Sequence, residues 1–315
     1  MLTKLIKFLQ TFEKKKRTRF ALFIRNNHAI TLKSGSYRCQ CRRVATLIDE
    51  FEKVTHKEIY TDSFDGKTSE EYIHFLKSKG FVTTTVKNYQ EKTKQLLNRA
   101  AREGHAVTNS LNTIKVHKED TGAIYLTIDE INKLADLKLN KERAQVRDIF
   151  LIGCLTALRY SDYSRLTEDN FNELTVSIKT QKTNNRVVIP IHQIIHDIIK
   201  RNKGYTFLQY KKSKQNFNAI IKKICRQARI NDKIIIERME GFKNVKRSFK
   251  KWELVSSHTA RRTGATNMYL AGIPLYRIML ITGHTTEQSF LLYLRIRREE
   301  NAKDLQDHDF FKGFI

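Results

Sequence analysis

Proline and glycine are scarce, with 2 and 12 in a chain of 315 residues. So few breakers exclude collagen-like, proline-rich and many-turned β architectures, and they favour long helices. Cysteine is sparse as well. Cys39 and Cys41 are separated by one residue, which is not zinc-ligand spacing, and Cys154 and Cys225 lie far off. No secretory context pairs them, so a reducing cytosol suits them. Long apolar runs are missing too. The start, Met1 to Phe12, is broken by Lys4 and Lys7 and leads into Glu13-Lys-Lys-Lys-Arg17, which is neither a signal peptide nor a membrane span. Ile149 to Leu158 is the longest apolar stretch and reads as a buried helix. No membrane partner is expected.

Acid is outnumbered by base. Lys and Arg number 59 against 33 Asp and Glu, a formal net charge of +26. Such a surface attracts a polyanion, and a nucleic acid is the economical candidate. Binding of that kind releases condensed counterions and weakens steeply with salt. The Gly66-Lys67 pair lacks the upstream glycine of a nucleotide-binding loop, and no carboxylate cluster of the two-metal nuclease kind is present. No cofactor and no metal are expected.

The chain is long enough for two modest domains. Residues 1–30 form a basic N-terminal segment, and residues 31–122 read as a small helical bundle. Val44, Leu47, Ile48 and Phe51 fall at helical spacing, as do Tyr72, Ile73, Phe75 and Leu76. Ser63 opens or precedes the second of these helices. A third runs from a cap in Thr83-Thr-Thr85 through Val86, Leu96, Leu97 and Ala100 to a stop at Gly104. Arg42, Arg43, Lys87, Lys92 and Arg99 mark one face as a candidate DNA contact, with a solvated face as the other reading. Residues 105–126 lose the helical period and read as a linker. Thr127-Ile-Asp-Glu130 is a capping-box pattern that opens the second domain, residues 123–302. Leu174 to Lys179 and Arg186 to Ile191 alternate apolar and polar residues and predict a β-hairpin with Lys182 at its tip. Helical patterns resume at about 192–201, 213–229, 258–271 and 274–282, and residues 303–315 form a tail. The fold class is mainly α, with a small antiparallel β element in the second domain.

Each polar residue of the second half has an ordinary reading by itself. Arg159 at the polar end of the apolar helix is a snorkelling or salt-bridged arginine. Lys182 is a solvated turn residue, and His258 near a helix start is a cap. His284 beside Gly283 is a helix-end residue, and Tyr293 within Leu-Leu-Tyr-Leu is a core aromatic. His258 and Arg261 sit one helical turn apart on one face.

Taken in order, Arg159, Asp162, Lys182, His258, Arg261, His284 and Tyr293 resemble the complete active-site pattern of the tyrosine recombinase (phage integrase) family. Thr156-Ala-Leu-Arg-Tyr-Ser-Asp162 and the spacing of Thr282-Gly-His284 to Tyr293 look most like mobile-element integrases of Bacteroidota. The resemblance implies a SAM-like core-binding domain ahead of an α-rich catalytic domain, and an enzyme that cuts and rejoins double-stranded DNA. Tyr293 would be the nucleophile, held afterwards as a 3′-phosphotyrosine. Arg159 and Arg261 would clamp the charge of the pentacoordinate phosphorus, and Lys182 would protonate the leaving oxygen. His258 would assist proton transfer, His284 would bond the scissile phosphate and Asp162 would orient the site. Arg262 would meet backbone phosphate.

The resemblance also implies a tetramer on two DNA sites, in the bacterial cytoplasm and associated with the nucleoid, for integration, excision or inversion of an element. A noncatalytic DNA-binding relative and a type IB topoisomerase are the alternatives. Ala157 stands where the family has Gly, and Thr282 where Leu is common. Residues 1–30 are too short for an arm-site-binding domain, so the chain reads as truncated or as acting on simple inverted repeats. Phe310, Phe311 and Phe314 are apolar anchors by which the tail docks on a neighbouring protomer or folds back.

Overall fold

The computed structural model describes residues 16–108, 123–210 and 212–291, together with Leu294, Ala302, Leu305, Gln306, Phe311 and Lys312. The chain divides into two units. One holds Met1–Thr121 and Glu237–Arg247, the other Gly122–Ile236 and Ser248–Ile315.

The N-terminal unit is a helical bundle of α1 (Phe20–Asn26), α2 (His28–Thr31), α3 (Gly35–Thr55), α4 (Gly66–Ser78) and α5 (Thr83–Arg102). Its apolar stripes converge as their spacing requires, with Val44, Leu47, Ile48, Phe51, Tyr72 and Leu76 buried in one core. Tyr72 gathers the aromatic residues, with ring centroids 5.3 Å from Phe51 and 5.7 Å from Phe64. The packing begins earlier than residue 31. Phe20, Phe23, Ile24 and Ile30 are buried in the same core, so the second half of the expected basic segment belongs to the bundle. The basic run Lys14 to Arg19 masks this in the sequence, because the apolar positions that follow it span barely two turns.

The starts of α3 and α4 follow local side-chain chemistry. Ser34 Oγ accepts from the Tyr37 amide at the start of α3, and Asp65 Oδ1, rather than Ser63, caps α4 through the Thr68 amide at 2.8 Å. At α5 the expected threonine cap is not used. The cap residue is Val82, which makes no side-chain cap bond. Its extended backbone bridges Glu240, and the neighbouring Phe81 carbonyl accepts from the Gly241 amide at 3.0 Å. Main-chain pairing thus fixes the start of this helix. Gly241 lies at φ 61°, and a Cβ there would come within 2.6 Å of the Lys77 carbonyl oxygen, so the residue must be glycine.

The second unit is built on α6 (Ile128–Ala135), α7 (Lys141–Thr156), α8 (Tyr160–Tyr163), the hairpin β1 (Thr175–Lys179) and β2 (Arg186–Pro190), α9 (Gln193–Arg201) and α10 (Lys214–Gln227). A second hairpin follows, β3 (Lys233–Glu240) and β4 (Lys243–Lys250), then α11 (Lys251–Leu254), α12 (Ser257–Leu270), α13 (Leu275–Thr282) and α14 (Glu287–Leu291). The outer part of β3 and β4 is counted with the N-terminal unit. Strands β1 and β2 are antiparallel, in register from Thr175 opposite Pro190 to Lys179 opposite Arg186. The sequence announces that hairpin and not the second, whose strands are filled with Lys, Arg and Glu and are largely exposed.

Helix α6 opens with the expected capping box, Thr127 Oγ1 accepting from the Glu130 amide and Glu130 reaching back to the Thr127 amide. The end of the expected linker is core. Ile124, Tyr125 and Leu126 are buried, and Leu126 is bonded through both its amide and its carbonyl to Thr263 and Asn267 of α12. Helix α7 is the central element, with Val146, Ile149, Phe150, Leu151 and Ile152 at most 1 % exposed. It meets α12 at Gly264, where a Cβ would lie 2.5 Å from the Cys154 carbonyl oxygen. Two buried ion pairs brace the unit: Lys251 Nζ to Glu130 at 2.6 Å, and Arg147 Nε to Asp148 at 2.8 Å. All four cysteines are free, Cys39 exposed and the others buried. Among the described residues, no helix is long and apolar enough to cross a membrane.

Candidate active site

Helix α7 ends at Ala157, whose φ of 53° lies in the left-handed region. Glycine is favoured there, and alanine is the smallest side chain that bears the strain. The turn reverses the chain and leaves Arg159 as the cap residue of α8, half-buried beside the crossing of α7 and α12. Arg159 Nη1 is buried with no hydrogen-bond partner among the described residues. Asp162, one turn on, is fully buried, and its Oδ1 accepts from the Gln181 amide at 2.9 Å. That bond ties α8 to the β1–β2 turn at the residue before Lys182, which is exposed.

From the other side comes α12, with His258 in its first turn and Arg261 one turn later. Arg261 is 1 % exposed and is held by neutral acceptors. Its Nη1 donates to the Ala157 carbonyl at 3.0 Å and its Nη2 to the Thr282 carbonyl at 2.7 Å. Nη2 also lies 3.1 Å from His284 Nε2. Helix α13 stops at Gly283 (φ 67°), which turns the chain so that His284 faces Arg261.

The two imidazoles record how closely the cations gather. Burial, followed by the charges of Arg262, Arg261, Lys214 and Arg159, holds His258 down to about 4 from an ordinary 6.5. Burial, followed by Arg261, Arg159 and Lys182, holds His284 at about 4 as well. Both rings are therefore neutral near pH 7, and Arg159, Lys182, Arg261 and His284 share one electrostatic neighbourhood. Tyr293 lies outside the described residues, as do Phe310 and Phe314.

The candidate DNA-face residues are spread over the other unit. Arg42 and Arg43 are exposed on α3, and Arg43 pairs with Glu50 at 3.5 Å. On α5, Lys87 pairs with Glu91, Arg99 with Glu103, and Lys92 Nζ sits 4.2 Å above the Tyr37 ring. Arg262 lies on α12 beside His258. Sequence reasoning passed over Lys214, whose charge bears on His258. It lies far from the motif in sequence and carries no signal except being the first residue of a helix.

Residues 125–300 match the phage integrase family, and residues 4–117 match the phage integrase SAM-like domain. The chain belongs to the phage integrase family. It is accordingly a tyrosine-type site-specific recombinase by family, with a SAM-like helical unit ahead of the integrase catalytic unit. Solved integrases share the fold at low identity. A lambda integrase dimer bound to a COC′ core site is 14 % identical with a TM-score of 0.65, over 90 % of this chain and 95 % of that one. A Tn1549 transposon integrase in complex with a circular-intermediate DNA is 14 % identical with a TM-score of 0.64, over 92 % and 99 %. A lambda integrase tetramer bound to a Holliday junction is 14 % identical with a TM-score of 0.59, over 92 % and 80 %. No curated protein matches the chain.

Proposed function

We propose that this integrase-family chain cleaves and rejoins double-stranded DNA with Tyr293 as nucleophile, and that Arg159, Lys182, His258, Arg261 and His284 are its catalytic partners. The observation that carries the reading is the convergence of three cations, Arg159, Lys182 and Arg261, from separate parts of the chain, on the neutral imidazole of His284. Such a cluster has no structural purpose that apolar residues would not serve better, because gathered like charges repel. A phosphate diester bound there would meet all three cations.

The steps follow from the residue types. The phenol oxygen of Tyr293 attacks phosphorus, and the neutral His258 takes its proton. Arg159 and Arg261 hold the nonbridging oxygens, where charge gathers in the transition state. Lys182 protonates the departing 5′ oxygen, leaving the chain on the 3′ phosphate. Attack by the 5′ hydroxyl of a partner strand reverses the chemistry and completes the exchange. Asp162 holds the turn that carries Lys182, through the Gln181 amide.

Assembly as a tetramer on two DNA sites goes with this reading, since the structural neighbours include an integrase tetramer on a Holliday junction. The catalytic unit also carries an apolar groove of about 360 Å³, lined by Ile131, Leu155, Ile189, Met268 and Ile281 among others. The place of action would be the bacterial cytoplasm, on a mobile element. A nicked suicide substrate carrying the element's terminal repeat tests the reading. A covalent adduct that survives denaturation should form with the natural chain and vanish in Tyr293→Phe; an adduct that persists in the variant overturns the nucleophile.

A further inference from the structure

The turn that carries Lys182 is held from its entry side, one residue after another. Lys179 ends β1, and its carbonyl accepts from Arg165 Nη2. Thr180 follows, 2 % exposed, with its amide bonded to the Asn185 carbonyl at 2.9 Å and its hydroxyl 2.8 Å from that of Thr183. Gln181 comes next, and its amide donates to Asp162 Oδ1 at 2.9 Å. The three residues ahead of the lysine are therefore fixed, two of them by side chains from the short segment that begins at Arg159.

Asp162 is the vulnerable member of that arrangement. Its carboxylate is fully buried, its Oδ2 has no hydrogen-bond partner among the described residues, and a buried charge is costly unless it is paired. Among the described residues its ion-pair partner is Arg165, whose Nη2 lies 3.6 Å from Oδ1. At that distance the contact is electrostatic. Arg165 follows α8 by two residues, and its amide donates to the Asp162 carbonyl at 3.2 Å, so the two side chains leave one turn of backbone. A planar guanidinium can meet a carbonyl and a carboxylate together, which an ammonium does less well.

We propose that Arg165 is a positioning residue for the general acid, its guanidinium joining the Lys179 carbonyl to the buried Asp162 carboxylate and so setting where the β1–β2 turn presents Lys182. Without it the turn loses one tether outright, and the carboxylate that supplies the other is left buried without its cation. The proposal rests on the reading of Lys182 as the acid that protonates the leaving 5′ oxygen, and concerns how that acid is held.

Arg165→Ala in the full chain tests it, on the suicide substrate and on a copy with sulfur in place of the bridging 5′ oxygen of the scissile phosphate. With oxygen, the P–O bond breaks and the leaving group takes the proton of Lys182; with sulfur, the P–S bond breaks and a thiolate departs without one. Adduct formation on the oxygen substrate should fall about 10–10²-fold, since misplacing a catalytic group by about an ångström can cost that much. On the sulfur substrate the variant should match the natural chain, as should Lys182→Ala, and DNA affinity should be retained. Hydrogen exchange at the Gln181 amide should become faster in Arg165→Ala. Equal slowing on both substrates, or a matching loss of DNA affinity, overturns the proposal, because Arg165 would then be a phosphate contact or a general brace. Natural rate with Gln181 still protected overturns it as well. If Lys182→Ala stays slow on sulfur, or the natural chain forms no adduct, the acid or the recombinase reading fails, and exchange at Gln181 still decides whether Arg165 holds the turn.

Discussion

The surface cations of the helical bundle and the two arginines of the candidate site differ in what they rest on. In the helical bundle, cations lie against carboxylates: Arg43 and Lys79 on Glu50, Lys87 on Glu91, Arg99 on Glu103. In the catalytic unit, Arg261 is oriented by two main-chain carbonyls and an imidazole, and Arg159 Nη1 is buried with no hydrogen-bond partner among the described residues. A carboxylate cancels a cation's field locally, whereas a carbonyl fixes its direction and leaves its charge in place. The first arrangement suits a surface that meets a polyanion by exchanging partners. The second suits a site prepared for one phosphate, with its reorganisation completed before the substrate arrives. Where the catalytic unit does use buried carboxylate pairs, Lys251 with Glu130 and Arg147 with Asp148, they brace helices at a distance from the imidazoles in the chain.

The largest test of this contrast is Arg261→Lys. Lysine keeps the charge and cannot span the Ala157 carbonyl, the Thr282 carbonyl and His284 at once. Adduct formation should fall about 10²–10³-fold, the usual effect of removing a preorganised donor, while nonspecific DNA binding measured by filter retention stays within a factor of a few. Equal loss of binding and cleavage would break the contrast, because Arg261 would then act as a general phosphate contact.

The next effect concerns acid. His258 and His284 have folded values near 4 against an ordinary 6.5, so below pH 6.5 the unfolded chain takes up protons that the folded chain refuses. Their contribution to stability is whole above about 6.5 and is lost as the pH falls toward 4. Thermal unfolding of the natural chain should decline over that interval, and His258→Asn with His284→Asn should flatten the decline. An unchanged slope in the double variant would mean that the rings are not held neutral.

The smallest effect is expected in the bundle. Lys87→Ala and Arg99→Ala each remove one partner of a surface pair, and such pairs contribute about 0.2–1 kcal/mol. Chemical denaturation should move by no more than that. DNA binding should weaken by a similar factor on every sequence, with the salt slope reduced by about one for each phosphate that is no longer neutralised. A change in base preference would show instead that these residues do more than hold charge.

Much of this was legible before any coordinate. The stripes of α3, α4 and α5, the Thr127 capping box and the first hairpin are visible because their periods are clean and their caps stand at fixed offsets. The order of Arg159, Lys182, His258, Arg261 and His284 is also readable; His258 and Arg261 fall on α12, and Arg159, Lys182 and His284 fall in the turns after α7, β1 and α13. The second hairpin is hidden because its residues are poor strand formers, and α1 because it is too short to show a period. Lys214 is hidden for a different reason. Its meaning depends on a neighbour far off in the chain, which leaves no mark on local spacing.

The N-terminal unit contains residues 237–247 as well as the first 121. During synthesis its helices leave the ribosome well before the glycine that seats against Lys77 and the strand that fixes the start of α5 have been made. The bundle must therefore wait, incomplete at the entry to its fifth helix, until translation has passed through most of the catalytic half. A fragment cut at the apparent linker would remain in that waiting state, so an isolated DNA-binding half of this protein should be built with the hairpin tip grafted back.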